Sequence, residues 1–254
     1  MAKKSKKSGT CVLCLKDSDS LTDEHVFPDA WYPDTTPLNM ERWKVPSCHP
    51  CNNNYSRIEG ELLFKLGLCL NREDARAAGI GEKAIRSMDP KYARNEKDRR
   101  SRQSRRDRLR KELLEAQRLS DEGFFPNFGP TAEQTSRGLR HKLFFSKDHL
   151  ELIVDKLVRG STYYLDSVLI QPTHVIEPYF VEDSKTRDVL EPLLRASAKH
   201  YRGPGIGLYR GRVEGNPHHA FFRFEIWGRL VLHAALVPRE DGIPDQRDSP
   251  GSGP

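Results

Sequence analysis

Long apolar runs are missing from this 254-residue chain. Nothing in it approaches the about 18 consecutive apolar residues of a membrane-crossing helix, so no membrane partner is expected. The opening residues, Met1 to Ser8, are basic, but no apolar stretch follows them. A secretory signal is therefore not expected, and the chain reads as cytoplasmic. No segment repeats, which excludes a stacked-repeat architecture. Cysteine is scarce: five residues in a chain read as sitting in a reducing compartment argue against a disulfide framework and for metal binding. Apolar residues make up 36% and charged ones 31%, which leaves a real core under a polar surface.

Four of the five cysteines form two pairs, Cys11-x-x-Cys14 and Cys48-x-x-Cys51. Each CxxC turn presents two thiolates at one corner, and two turns complete the tetrahedron that zinc favours. The 33 residues between the pairs (15 to 47) leave room for a hairpin. Such a site is closed, so its zinc is expected to hold the fold and not to catalyse. His49, inside the second pair, reads as an exposed turn residue. Cys69 lies outside the pattern and reads as a small buried hydrophobe.

Between the pairs stands Asp23-Glu24-His25-Val26-Phe27-Pro28, and Asn52-Asn53-Asn54 follows the last cysteine. A histidine can take a proton near neutral pH. A divalent ion on oxygen ligands can stabilise a phosphate and its leaving group. Adjacent residues on a strand point to opposite faces, so Glu24 and His25 need irregular backbone to converge. A zinc tying the helix start to the loop before the hairpin would let Glu24 meet Asn52. Glu59, seven residues after Asn52, falls on the same helix face. It suits either assistance to the metal or a salt bridge with Arg57 or a local lysine. Arg57 is a candidate phosphate contact.

The order Cys-x-x-Cys, acid-His-x-x-Pro, Cys-x-x-Cys-Asn resembles the HNH, or ββα-metal, endonucleases over residues 10 to 65. The resemblance implies a β-hairpin followed by a helix, with His25 as general base. It also implies that Glu24 and Asn52 hold one Mg²⁺ or Mn²⁺ ion beside a structural Zn²⁺. The implied reaction is hydrolysis of DNA, leaving 5′-phosphate and 3′-hydroxyl ends, with RNA as a possible substrate. The family usually has aspartate where this chain has Glu24. It usually has an orienting Asn where Trp43 stands. The alternative is a zinc ribbon that binds nucleic acid or protein without cutting.

The net charge is +6 (42 minus 36), and a zinc on four thiolates would make it +4 (adding 2, removing 4). That suits an anionic polymer. Arg94 to Lys111 carries ten Lys/Arg against Glu96, Asp98 and Asp107. Within it Arg99, Arg100, Arg102, Arg105 and Arg106 are candidate phosphate contacts, weighed evenly against a solvated helix face. The chain reads as an α+β protein: a basic arm (1–9), the zinc-stapled module (10–65), a basic helical connector (66–130), a C-terminal α+β domain with an antiparallel sheet (131–238) and a polar tail (239–254). The C-terminal domain suits target choice or assembly with a partner. Apolar spacing predicts helices from Asn52, over 71–89, over Lys97–Leu119, over Asp148–Val158 with a stop at Gly160, and over Ser184–Ala198. Strands are expected at Tyr163–Ile170, Thr173–Val181, Gly207–Val213, Ala220–Trp227 and Arg229–Val237.

Overall fold

The computed structural model describes residues 7–115, 145–179, 195–213 and 216–239, together with residue 192. Strand β1 (Lys7–Thr10) pairs antiparallel with β2 (Asp17–His25), and β2 pairs antiparallel with β3 (Lys44–Cys48). Residues 7–9 thus belong to a strand and not to the arm in which composition places them. Strand β3 runs directly into helix α1 (His49–Gly67). Cys48 caps that helix with extended backbone, and Pro50 sits in its first turn, where a missing N–H costs nothing. Tyr55, Ile58, Leu62 and Leu63 are buried as their spacing predicts.

Helices α2 (Ile80–Met88) and α3 (Glu96–Glu115) follow. Leu109 of α3 meets Met88 of α2 and Phe64 of α1 in a small cluster of their own. The Lys65 ammonium, on α1, bridges Glu61 and Glu112 at 3.1 Å each and so joins α1 to α3. The loop expected at Gly123–Pro130 and most of the helix expected at Ser184–Ala198 lie outside the described residues.

Helix α4 (Lys147–Asp166) is the centre of the molecule. Six consecutive residues, Ile153 to Val158, are buried, which is more than a full turn, so the helix is covered on every side. Gly160 does not stop it. A Cβ there would come within 3.0 Å of Val26 Cγ2, so this glycine permits the close approach of α4 to the end of β2. The expected strand at Tyr163–Ile170 is likewise replaced by the last turn of α4, closed by Ser167 at φ 57° with its N–H donated to the Tyr163 carbonyl. Packing on all sides outweighs the modest β preference of Thr162, Tyr163 and Tyr164.

The second sheet contains β4 (His174–Tyr179), β5 (Ala198–Tyr201), β6 (Ile206–Val213), β7 (Asn216–Ile226) and β8 (Leu230–Pro238), in the antiparallel order β4-β8-β7-β6-β5. Phe222, Phe224 and Ile226 are buried while Arg223 and Glu225 are more open, the alternation of a half-buried strand. One core runs through both sheets and α4. Phe27 meets Phe224 at 6.2 Å between ring centres, and Trp31 meets Trp227 at 5.7 Å. The Trp227 indole N–H donates to the Trp31 carbonyl at 2.7 Å. Trp227 has φ 56° and Gly228 φ 66°, a pair of left-handed residues turning β7 into β8. For a residue as bulky as tryptophan that backbone is strained, and the buried, hydrogen-bonded ring holds it.

Candidate metal centre and nuclease site

The four sulfurs of Cys11, Cys14, Cys48 and Cys51 lie within 4.8 Å of one another. Cys14 Sγ and Cys48 Sγ are 3.8 Å apart. Thiolates at about 2.3 Å from a tetrahedral zinc stand about 3.8 Å apart, so these cysteines are positioned to hold one metal ion and suit a structural zinc. The first pair occupies the β1–β2 turn, closed by Leu15 N–H on the Cys11 carbonyl at 2.9 Å, with Leu15 at φ 62°. The second pair straddles the start of α1, and the Cys48 N–H donates to Cys11 Sγ at 3.3 Å. A helix N-terminus favours thiolates. The Cys11 thiol is held far down, to about 3, chiefly by its hydrogen bond with Cys51, while that same contact drives the Cys51 thiol up. His49 stays outside the cluster, with its Nε2 3.5 Å from Ser20 Oγ.

Residues i and i+2 of a strand share a face, and so do i, i+3 and i+7 of a helix. Thr22, Glu24 and Val26 therefore form one row along β2, and Asn52, Tyr55 and Glu59 form one along α1. The rows meet in two rungs. Asn52 Nδ2 donates to Thr22 Oγ1 at 3.1 Å, and that hydroxyl donates on to the Ser47 carbonyl at 3.0 Å. Because the Thr22 proton is spent on Ser47, Thr22 can only accept from Asn52, which fixes the amide with its oxygen turned away from the strand. In the second rung Glu24 and Glu59 share a cation from elsewhere. Lys156 Nζ lies 2.6 Å from Glu24 Oε1 and in contact with Glu59 Oε1. Its side chain is 1% exposed. Burial raises the Glu59 carboxyl above the usual range, against the pull of Lys156. Gly160, one turn beyond Lys156 on α4, meets Val26, the next member of the β2 row. Glu24 thus reaches Glu59 through Lys156, and Asn52 reaches Thr22; Glu24 and Asn52 belong to different rungs.

His25 ends β2, with Lys44 directly opposite on β3. The register runs unbroken from Leu21 to His25. The irregular backbone expected between Glu24 and His25 is therefore absent, and alternation sends them to opposite faces. His25 is half-buried, and its imidazole titrates below its ordinary value, first because of burial and then because of Lys44, with Asp29 and Glu24 opposing. It is therefore neutral, and able to accept a proton, at pH 7. Among the described residues none hydrogen-bonds its ring. Trp43, where the usual orienting Asn would stand, is instead stacked on Tyr164 at 4.6 Å and covered by the Arg202 guanidinium at 4.8 Å. Beside it Arg42 lies 3.6 Å over the Tyr32 ring and 3.8 Å from Asp29. Arg42 Nη1 and Arg202 Nε are buried donors with no acceptor among the described residues. Lys44 places a cation directly opposite His25, while Arg42 and Arg202 lie over Tyr32 and Trp43. Sequence reasoning missed Arg42, Arg202 and Lys156, and none of them stands in a motif.

The basic helix is mostly paired internally. Arg99 and Arg100 bind Glu96 at 2.7 and 3.0 Å, and Arg106 donates to Gln103 at 2.8 Å, all exposed. Arg102 binds Asp98 at 3.1 Å and also reaches the Arg86 carbonyl. Arg105 donates to the Ser87 carbonyl at 3.3 Å. These last two satisfy the carbonyl end of α2, a favoured place for cations. Arg57 is exposed on α1. No helix of the described residues is long and apolar enough to cross a membrane. No family model, no curated protein and no solved structure matches the chain.

Proposed function

We propose that this protein is a metal-dependent endonuclease of the ββα-metal type that hydrolyses DNA. The observation that carries the reading is His25 at the end of a hairpin strand whose partner strand enters α1 beside a four-cysteine metal site, with Glu24 one residue away. His25 takes a proton from the attacking water. The hydroxide so formed attacks phosphorus, the bond to the leaving oxygen breaks, and that oxygen takes a proton from solvent. Lys44, opposite His25 on β3, meets the phosphate charge. Arg57, Arg99, Arg100 and Arg106 are exposed and available to flanking phosphates. By the family resemblance Glu24 and Asn52 would hold the ion, and a carboxylate and an amide oxygen are the donor types that a hard divalent ion takes. When bound, Mg²⁺ or Mn²⁺ would supply charge stabilisation at the phosphate and the leaving oxygen.

A second reading draws on the Glu24–Lys156 ion pair: a zinc-stapled module that binds nucleic acid and does not cut it. Supercoiled plasmid and a folded RNA, each incubated with Mg²⁺, Mn²⁺ or EDTA, separate the two. The nuclease reading expects metal-dependent nicking of the plasmid that His25→Ala abolishes. Salt-sensitive binding without cleavage in any metal establishes the second reading, and cutting of RNA alone reassigns the substrate.

A further inference from the structure

We propose that Arg42, Arg202, Tyr32 and Thr36 form an oxyanion site that takes a phosphate group, where the β5–β6 turn meets the loop between β2 and β3. The proposal goes beyond the cleavage reading and does not depend on it.

Three stretches of chain meet here. Tyr32 and Thr36 lie in the loop after β2, Arg42 leads into β3, and Arg202 follows β5. The turn comes close because it is built on glycine. Gly203, at φ 98°, lies against Thr36, and a Cβ on it would stand 3.0 Å from Thr36 Oγ1. A Cβ on Gly205 would stand 2.6 Å from Pro33 Cγ. A side chain at either position would push the turn off the loop and take Arg202 with it. The Arg202 guanidinium lies 4.8 Å over the Trp43 ring, and that of Arg42, the residue before Trp43, lies 3.6 Å over the Tyr32 ring. The Tyr32 hydroxyl feels both cations. Burial pushes its phenol up to about 12, while Arg42 and, less strongly, Arg202 pull it back. It therefore keeps its proton at pH 7 and can donate it to a hydrogen bond.

The donors of this place are unused. The Tyr32 hydroxyl, the Thr36 hydroxyl, Arg42 Nη1 and Arg202 Nε are buried atoms without a hydrogen-bond partner among the described residues. Tyr32 and Thr36 are 2% and 7% exposed. Unmet buried donors are costly, and native structures hold few of them. Four in one neighbourhood fit an acceptor with several oxygens. The charge says which kind. Arg202 makes no ion pair among the described residues, and Arg42 stands 3.8 Å from an Asp29 carboxylate that is 70% exposed. Two guanidiniums facing so little acid favour an anion. Donors from three directions suit the tetrahedral oxygens of phosphate, and arginine is a preferred phosphate partner. Both arginines are only half-buried, so an ion meets them from solvent with the hydroxyls deeper in.

Thermal unfolding of the zinc-loaded full chain in sodium phosphate, against sodium chloride of equal ionic strength and pH, tests this. A ligand that binds only the folded chain raises its melting temperature with concentration. Wild type should show a rise specific to phosphate. Arg42→Gln and Arg202→Gln should each need at least about tenfold more phosphate for the same rise, the scale of one charge-assisted hydrogen bond. Equal curves in phosphate and chloride overturn the proposal, and so does an unchanged phosphate response in either variant. If an arginine variant does not fold, Thr36→Val decides, because it keeps the side-chain shape without the hydroxyl. A weakened response then supports the site, and a wild-type response overturns it. Binding of the same chains to a DNA duplex across a salt series separates the sources of the phosphate. Weaker binding by the arginine variants, with a salt slope lower by about 1, assigns the site to a backbone phosphate. Unchanged duplex binding beside a weakened phosphate response assigns it to a free phosphate or a phosphomonoester.

Discussion

Helix α3 and helix α4 use basic residues in opposite ways. Helix α3 carries nine of the ten basic residues between Arg94 and Lys111, and its ion pairs lie in the open with Glu96 and Asp98 a turn away. Helix α4 commits one lysine to the interior, where it joins two carboxylates from two other elements. Exposed pairs are screened by water and contribute roughly 0–1 kcal/mol each. A buried charge left without its partner costs about 3–5 kcal/mol. The abundance of charge in a segment therefore says little about where charge matters; desolvation decides, and desolvation is a property of the fold.

The largest effect expected from this contrast is at Lys156. Lys156→Met keeps the length of the side chain but strands Glu24 and Glu59, and should lower stability by about 3–5 kcal/mol in urea unfolding at pH 7. A loss under about 1 kcal/mol would mean that the triad is solvated like α3, and the contrast would fail.

Next comes His233, a buried base with no carboxylate partner among the described residues. Burial, and after it Arg223, hold its imidazole down to about 4 against an ordinary 6.5. As pH falls through 6.5 the unfolded chain takes up the proton and the folded one does not, so stability drops between pH 6.5 and about 4 and levels off below. The full drop is on the order of 3 kcal/mol. His233→Gln should flatten that part of the pH–stability curve, and an unchanged slope would show that His233 charges freely in the folded protein.

The smallest effect belongs to α3. Replacing both Arg99 and Arg100 by Ala should change stability by no more than about 0.5 kcal/mol while reducing the salt dependence of binding to duplex DNA. A large loss of stability would move these arginines into the class of Lys156.

Several parts of this architecture were legible from sequence because their signals are local. The CxxC pairs carry their own turn geometry, and Tyr55, Ile58 and Leu62 mark one helix face by spacing alone. The alternation of Phe222, Phe224 and Ile226 marks a strand in the same way. What escaped was set by contacts across the chain. Lys156 looks like one more solvent-facing residue until α4 is found covered on every side. Gly160 has the look of a helix stop until Val26 is found against it, and Thr162, Tyr163 and Tyr164 favour a strand until packing holds them in the helix. Strand β1 hid in a basic arm because its partner is β2, not its own pattern. The Glu24–His25 dipeptide was visible, but the regular register that separates the two side chains was not.

The nuclease reading stands most directly on one comparison: nicking of supercoiled plasmid in Mn²⁺ by the zinc-loaded wild-type chain and by His25→Ala. General-base catalysis is worth about 10²–10⁴-fold, so the account predicts nicking by wild type and at least about a hundredfold less by the variant. Equal nicking by the two proteins would contradict it.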